Sequence, residues 1–591
     1  MKSEDRSTDR ASRGPAGLRA GLTSYGDDGF SLFLRRAFIK GAGYSDDALE
    51  RPIIGIATAI SDYNPCHGAN PGLVAAVRRG VMLAGGLPME FPTVSVHESF
   101  SSPTSMLLRN LMSMDVEEMI RAQPMDAVVL VGGCDKTVPA QLMGAASAER
   151  PTIQLVSGAM LTGTHRGGRV GACTDCRAFW GRHRAGTLDP GEIDEVNSAL
   201  VGSAGTCSVM GTASTMACVA EALGIALLGS AAPPAVTAAR LRVGEATGAA
   251  AVDLARAGTP IKQIITADSI ENAARVVFAI GGSTNAIIHL TAIAGRLGIP
   301  LALDDIDRWA RDTPVLVDLK PAGEGYMEDF HRAGGLVTVL HEISDLLHLN
   351  VLTVTGRSLG DELERARPVR SSTVVRPRTT PLFTDGGIAV LRGNLAPRGA
   401  IIKQVAASPE LLCVTGRAVP FDGVEDLASR IDDPELDVRP EDILVLRGAG
   451  PVGAPGMPEA GYIPIPRRLA ERGVTDMVRI SDARMSGTAA GTIVLHITPE
   501  AAVGGPLALV RHGDLITLDV PARRLTLDVS EEELDRRRSE LHADRQPVAS
   551  RGYRRLYVER RSQAVEASSE SISTNTSAGV LYPSIRRGRV L

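Results

Sequence analysis

Short apolar runs alternate with helix-like segments over the first part of the chain. Residues 53–60 (IIGIATAI) are continuous, apolar and β-branched, which predicts a strand buried on both faces. Asn70-Pro71 then predicts a helix start, with Asn70 as N-cap and Pro71 at the first helical position. Residues 91–97 (FPTVSVH) predict a second strand, and a helix follows over about 104–121. Residues 126–131 (DAVVLV) predict a third strand, 140–148 a helix, and 152–156 a fourth strand. Strand–helix alternation of this kind predicts an α/β domain with a doubly wound, mostly parallel sheet over residues 21–370.

The pattern changes after about residue 370. Short strands recur between Gly and Pro turns at 387–391, 443–447, 515–520 and 524–529. The last two face each other across Pro521-Ala522-Arg523 as a hairpin. These features predict a β-rich, barrel-like C-terminal domain over 381–562, joined through a linker at 368–380 (PVRSSTVVRPRTT). Residues 530–562 predict a charged helical segment. Residues 1–20 read as a disordered extension and 563–591 as a mobile tail, Ser/Thr-rich at 566–578.

Composition narrows the function classes. A length of 591 residues predicts two or more domains, and a hydrophobic fraction of 44% excludes global disorder. Aromatics are only 3%, so the core is built from Ala, Val, Ile, Leu and Met. The net charge of −5 argues against nucleic acid as a partner. The most apolar stretch, 217–236, carries Glu221 and Pro233-Pro234, so it predicts a buried helix and loop rather than a membrane span. The first residues mix acids and bases with no apolar core. The expected location is the cytoplasm.

Seven cysteines form no obvious disulfide framework. Cys66, Cys134 and Cys207 fall at strand exits or helix entries, where open α/β sheets gather ligands and helix N-termini favour thiolates. Their wide spacing matches no local zinc or ferredoxin pattern, and on spacing alone buried structural cysteines are the simpler reading. Cys173-Thr-Asp-Cys176 is a CxxC without a second pair, readable as redox-active, half a zinc site, or structural. Glu98 and Asp135 beside the same strand ends would suit Mg²⁺. Lys136 could join them only if carbamylated, and an ordinary Asp135–Lys136 ion pair is the simpler reading. Ser486 lies in a Met-Ser-Gly-Thr turn whose glycine permits a backbone that exposes a side-chain oxygen, but it matches no hydrolase motif and a structural turn is the simpler reading.

Together the segments NPCHGAN, GGCDKTVPA, GTCSVMGTASTM, AIGGSTNAIIHL, LKPAGEGYMEDFHRAGG, LRGNLAPRGAIIK, GAPGMPE and ISDARMSGTAAGT change this balance. In this order they resemble the dihydroxy-acid and phosphogluconate dehydratase family over roughly residues 20–562. SYGDDGFSLFLRRAFIKGAGYSDD, FPTVSVHESF, RNLMSMDVEEMIRAQPMDAVV and GACTDCR look most like its sugar-acid branch, whose familiar members are L-arabinonate and D-xylonate dehydratases. The resemblance implies an iron–sulfur cluster on Cys66, Cys134 and Cys207, with [2Fe–2S] favoured over [4Fe–4S] and one iron left open. It implies Mg²⁺ on Glu98, Asp135, a carbamylated Lys136 and Glu459. It makes Ser486 the base, with Thr488 orienting substrate, and implies a homodimer or homotetramer. Cys173, Cys176, Cys218 and Cys413 stay outside the cluster. His67-Gly68-Ala69-Asn70 and the segment from Arg417 to Asp422 depart from the branch's usual pattern, which leaves the individual sugar acid open.

The implied reaction removes water from a 2,3-dihydroxy acid to give a 2-keto-3-deoxy acid. An ordinary serine hydroxyl is too weak a base near neutral pH, so a neighbouring cation must support it. His67 and His97 could bind sugar hydroxyls or simply pack their loops. The rivals are a branched-chain dihydroxy-acid dehydratase and a non-catalytic iron–sulfur protein. A dehydrogenase is disfavoured because no GxGxxG follows the first strand.

Overall fold

The computed structural model describes residues 16–369, 372–541 and 551–560. Four parallel strands, β1 (Ile53–Thr58), β2 (Leu87–Pro92), β3 (Ala127–Gly132) and β4 (Thr152–Val156), pair in the order β2-β1-β3-β4. Every residue of β1, β3 and β4 is buried, because helices cover both faces of the sheet. The expected α/β architecture is therefore present. A two-stranded ribbon follows, β5 (Gly163–His165) with β6 (Gly168–Val170).

Two expectations shift. The second strand begins at Leu87 and ends at Pro92, rather than running over 91–97. Leu87 and Pro88 pair with Ile53 and Ile54, while beyond Pro92 the Asp115 carboxylate takes the Val94 N–H at 2.7 Å. Asn70 is not a cap: the helix Asn70–Leu83 has Ala69 at that position, and Asn70 is buried within its first turn. The chain enters this helix directly from the turn Pro65–His67, which moves the helical register back by one residue.

Eight strands close into a barrel: β7 (Ala389–Gly393), β8 (Ala396–Ile402), β9 (Cys413–Asp422), β10 (Ile443–Arg447), β11 (Arg479–Ser481), β12 (Ile493–Thr498), β13 (Leu515–Asp519) and β14 (Arg524–Leu527). The β13–β14 hairpin pairs Asp519 with Arg524, as the turn predicted. Charged helices Glu531–Glu540 and Gly552–Arg560 follow. Within the N-terminal extension, Gly17–Arg19 forms a turn, and Ala16 and Gly17 N–H donate to Asp126 at 2.7 and 3.0 Å. The Ser/Thr-rich tail lies outside the described residues. Among the described residues no helix is long and apolar enough to cross a membrane.

Strand alternation joins barrel and sheet domain. Ala389, Leu391, Ala400 and Ile402 fill the barrel, while the alternate residues Ile388, Val390 and Ile401 join the core of the first domain. The described part of the 368–380 segment also lies on that domain, with Val375 bridged to Val317 and the Arg376 N–H donating to Leu316 at 2.8 Å.

On the sheet, the helix Asn70–Leu83 packs against Ala238–Ala257 through glycines. A Cβ on Gly80 would fall 1.9 Å from the Glu245 carbonyl oxygen, and one on Gly248 would fall 2.2 Å from that of Val77. Gly80→Ala should force these backbones apart and cost about 1–3 kcal/mol, read as a lowered unfolding midpoint. An unchanged midpoint would mean the crossing has slack that the backbone distances deny.

Candidate active site

The loops after β1 and β3 meet over the sheet's carboxyl edge, the usual ligand position in such folds. Cys66 lies in the turn Pro65–His67, and Cys134 follows Gly133 directly after β3. Gly133 lets that loop press inward, since a Cβ there would lie 2.5 Å from Ser157 Cβ. His67 is fully buried and fixes the two loops together. Its Nδ1 donates to the Ala59 carbonyl, and its Nε2 accepts from Gly133 and Cys134 N–H at 3.0 and 3.2 Å. Burial holds it neutral, pushing its pKa down to about 4. Both ring nitrogens are spent, so His67 does not bind a sugar hydroxyl.

The sulfurs of Cys66 and Cys134 and a ring nitrogen of His97 lie within 4.8 Å of one another. The adjacent Cys134 thiol and burial both push the Cys66 thiol up. Cys207 lies in a loop that touches the same turn through the Gly205 N–H and Pro65 carbonyl, at 3.4 Å. Its sulfur is 3.4 Å from that of Cys173. Cys218 is buried in the helix Thr212–Ala222, and Cys413 is exposed at the start of β9. Soft thiolates of this kind suit iron–sulfur ligation, so the residues fit such a group.

Beside the thiols stands a carboxylate group. One oxygen from each of Glu98, Asp135 and Glu459 lies within 4.8 Å of the others. Asp135 Oδ1 is also 3.4 Å from Cys134 Sγ, so the two groups are contiguous. Lys136, with no exposed surface, pairs with Asp135 and lies 3.7 Å from Glu98 and 3.8 Å from Glu459. Arg484, equally buried, donates to Glu459 at 2.5 Å, to Glu98 at 3.3 Å and to Thr104 Oγ1 at 2.8 Å. Burial opposes the charge on Glu98. Lys136, Arg484 and the Ser105 and Thr104 hydroxyls overcome it and hold the carboxyl down to about 2. Clustered hard oxygen donors fit a divalent cation such as Mg²⁺.

Ser486 and Thr488 lie two and four residues beyond Arg484. Their turn rests on the start of the helix Thr212–Ala222. A Cβ on Gly487 would sit 2.8 Å from the Thr212 nitrogen, and one on Gly211 would sit 2.6 Å from Thr488 Cγ2. Asn285 Nδ2 donates to the Met485 carbonyl at 3.0 Å and to Thr212 Oγ1 at 3.1 Å. This gives the GGSTN segment a role the sequence did not disclose. Ser486 Oγ and Thr488 Oγ1 are 2.9 Å apart. Arg177, passed over in the sequence reading, donates to Thr488 Oγ1 at 2.7 Å and to the Cys173 carbonyl at 3.2 Å. Its guanidinium lies over the Tyr462 ring, 5.7 Å from the centroid. Arg177 can only donate, so it takes one lone pair of Thr488 Oγ1 and leaves the Thr488 proton free to be donated to Ser486. Asp175 anchors this segment, accepting from Lys320 at 2.6 Å, Tyr326 at 2.7 Å and the Gly171 N–H at 2.8 Å.

Two family models match the chain: the dihydroxy-acid/6-phosphogluconate dehydratase N-terminal region over residues 51–362 and its C-terminal region over 373–568. The chain is 49% identical over 557 residues to L-arabonate dehydratase of Azospirillum brasilense, covering 92% of this chain and 94% of the relative. It is 44% identical over 546 residues to 6-deoxy-6-sulfo-D-gluconate dehydratase of Pseudomonas putida, covering 92% and 94%. Against dihydroxy-acid dehydratase of Methanothrix thermoacetophila, identity is 39% over 517 residues, covering 85% and 92%.

Arg484→Met should leave Glu98 and Glu459 with only Lys136 to offset them. Breaking such a buried pair typically costs about 3–5 kcal/mol, so the unfolding midpoint should drop sharply in metal-free buffer. Added Mg²⁺ should recover part of the loss by replacing the missing positive charge. A midpoint equal to the parent chain's would show that the carboxylates do not depend on Arg484.

Proposed function

The chain belongs to the dihydroxy-acid/6-phosphogluconate dehydratase family of hydro-lyases, and from that premise we propose that it dehydrates a sugar acid to the 2-keto-3-deoxy acid. The substrate is an aldonate, a pentonate such as L-arabinonate or D-xylonate. The contact between Cys134 Sγ and Asp135 Oδ1 carries this reading. It puts a soft-donor site and a hard-donor site side by side, as a substrate with a leaving hydroxyl next to a carboxylate and C2 oxygen requires. The higher identity to the sugar-acid enzymes than to the dihydroxy-acid dehydratase supports the aldonate over a branched-chain substrate.

An iron–sulfur cluster, [2Fe–2S] in this reading, on Cys66, Cys134 and Cys207, with Mg²⁺ on Glu98, Asp135, Glu459 and a carbamylated Lys136, would supply Lewis acidity for the leaving hydroxyl and for the C2 side. Ser486 takes the C2 proton. The Thr488 hydroxyl lies 2.9 Å from Ser486 Oγ and is itself held by Arg177, so as the serine loses its proton the threonine donates to it and the developing charge meets a chain of donors ending in a cation. Arg484, fully buried, adds a second cation on the segment of Ser486 itself. Lys136 sits among carboxylates without exposed surface, where a carbamate adds an oxygen donor and removes an ammonium that would repel a metal. A bare electron carrier would need neither the carboxylates nor Ser486.

We place the enzyme in the cytoplasm as a homodimer or homotetramer. The helix Asp28–Gly41 supports assembly, since it leaves Phe33 65% and Phe38 77% exposed.

Anaerobically purified protein should convert one or more aldonic acids to 2-keto acid faster than it converts 2,3-dihydroxyisovalerate. The reverse preference would make it a branched-chain enzyme. Ser486→Ala should lower kcat by about 10²–10⁴-fold while iron, sulfide and Mg²⁺ contents stay at parent levels. Retention of more than about a tenth of kcat, less loss than that range allows, would pass the base role to another group, Thr488 first. Cys66→Ser, Cys134→Ser or Cys207→Ser should each lose or loosen the iron–sulfur absorbance, and Cys218→Ser and Cys413→Ser should keep it. Parent-level iron and sulfide in the first three would remove those ligands.

A further inference from the structure

The CxxC motif has no part in the reaction above, yet the structure gives it a partner. Cys173 Sγ stands 3.4 Å from Cys207 Sγ. The flanking backbone holds the two in register: Ser208 N–H and Oγ–H both donate to the Ala172 carbonyl, at 3.1 and 3.2 Å. On the other side of Cys173, Asp175 is fixed by Lys320, Tyr326 and the Gly171 N–H. The sulfurs therefore face each other across two anchored segments, and a disulfide length of about 2.05 Å is within reach of side-chain rotation and a small approach. Cys176 also lies beside Cys173, its thiol donating to the Cys173 carbonyl at 2.6 Å and interacting with the Cys173 side chain, which makes it the competing partner.

We propose that Cys173 is a redox partner for Cys207, closing a reversible disulfide with it when the chain carries no cluster and meets a peroxide. The inference rests on the reading of Cys207 as a cluster ligand only for its consequence; the disulfide itself needs no cluster. The thiolate sulfur of one residue attacks a peroxide oxygen, the O–O bond breaks, and a sulfenic acid and hydroxide form. The sulfur of the other then attacks, the S–O bond breaks and a second hydroxide leaves. With the two thiol protons the products are the disulfide and two waters: the sulfurs lose two electrons and hydrogen peroxide gains them. Closure stops Cys207 short of sulfinic acid, which common thiols do not reverse. It also removes Cys207 as a ligand until a dithiol reopens the bond by exchange.

The full-length chain, stripped of iron by a chelator and treated with hydrogen peroxide, should lose two of its seven free thiols and the mass of two hydrogen atoms. Digestion after alkylation should yield a peptide pair joined through Cys173 and Cys207. Iron and sulfide added before reduction should give little cluster absorbance, and a dithiol should restore it. In Cys173→Ser the linked peptide should vanish, Cys207 should appear as sulfinic acid, and a dithiol should no longer restore cluster uptake. Peroxide that consumes Cys207 without a Cys173–Cys207 peptide, or a linkage confined to Cys173 and Cys176, would overturn the proposal. So would equal recovery of cluster uptake in the parent chain and Cys173→Ser. Each readout is independent of the substrate, so failure here is distinct from failure of the aldonate assignment.

Discussion

Three carboxylates held within a few ångströms of one another repel, and in a buried setting that repulsion is strong. The remainder of the site is arranged around its relief. Glu98, Asp135 and Lys136 come from the loops of the sheet domain, whereas Glu459 and Arg484 come from the barrel. Neither part holds a complete set. Arg484 reaches 386 positions back along the chain to Glu98, with its charge fully enclosed. Such a pair is costly to desolvate and costly to break, so it ties the docking of the two domains to the assembly of the site. The shared apolar wall of Ile388, Val390 and Ile401 provides the bulk attraction that brings the partners to this position.

The same economy governs the loops. The barrel approaches the sheet domain through glycines at Gly487 and Gly211, where no side chain would fit. Asn285, braced on Thr212, holds the Ser486 turn through the Met485 carbonyl, which leaves Ser486 Oγ bound to Thr488 alone among the described side chains. Deeper in the barrel, Asp482 accepts from Gly448, Ala449 and Ala501 N–H at 2.9–3.0 Å, and Glu500 accepts from Val452 and Gly453. These buried carboxylates order the loop that delivers Glu459. A rigid scaffold of backbone-directed hydrogen bonds is what lets reactive side chains sit on loops without wandering.

The parallel sheet was legible because β1, β3 and β4 are apolar without interruption, the signature of strands covered on both faces. β2 was misplaced because it is an edge strand carrying Pro88, Glu90 and Pro92, while TVSVH outside the sheet alternates like a strand. Residues 443–447 were legible for the same reason as β1, being nearly all buried. In the site, local sequence disclosed the thiols and carboxylates as unusual residues at strand ends and no more. The resemblance, not spacing, grouped them. Arg177, Asn285 and Arg484 escaped because each acts on a partner far along the chain, and nothing in a local window separates a bridging arginine from a surface one. His67 was legible only as a choice between a sugar-hydroxyl contact and a loop-packing residue, and backbone groups of the two loops consume it.

A serine is a poor base, and the structure shows what would have to change that. Thr488 Oγ1 stands between Ser486 and Arg177, at 2.9 and 2.7 Å. The arginine has no acceptor, so Arg177 donates to Thr488; the Thr488 hydroxyl, with a second lone pair, accepts from or donates to a neutral Ser486 and can only donate to an ionised one. A threonine donating in this direction favours the serine when it is negative more than when it is neutral. The opposite arrangement, with serine donating to threonine, would hold its proton in place. The arginine that ends this chain lies one position beyond the CxxC, on the segment that Asp175 pins to Lys320 and Tyr326. One buried carboxylate and its three donors thus hold the segment that presents both Cys173, facing Cys207, and Arg177, bonded to Thr488.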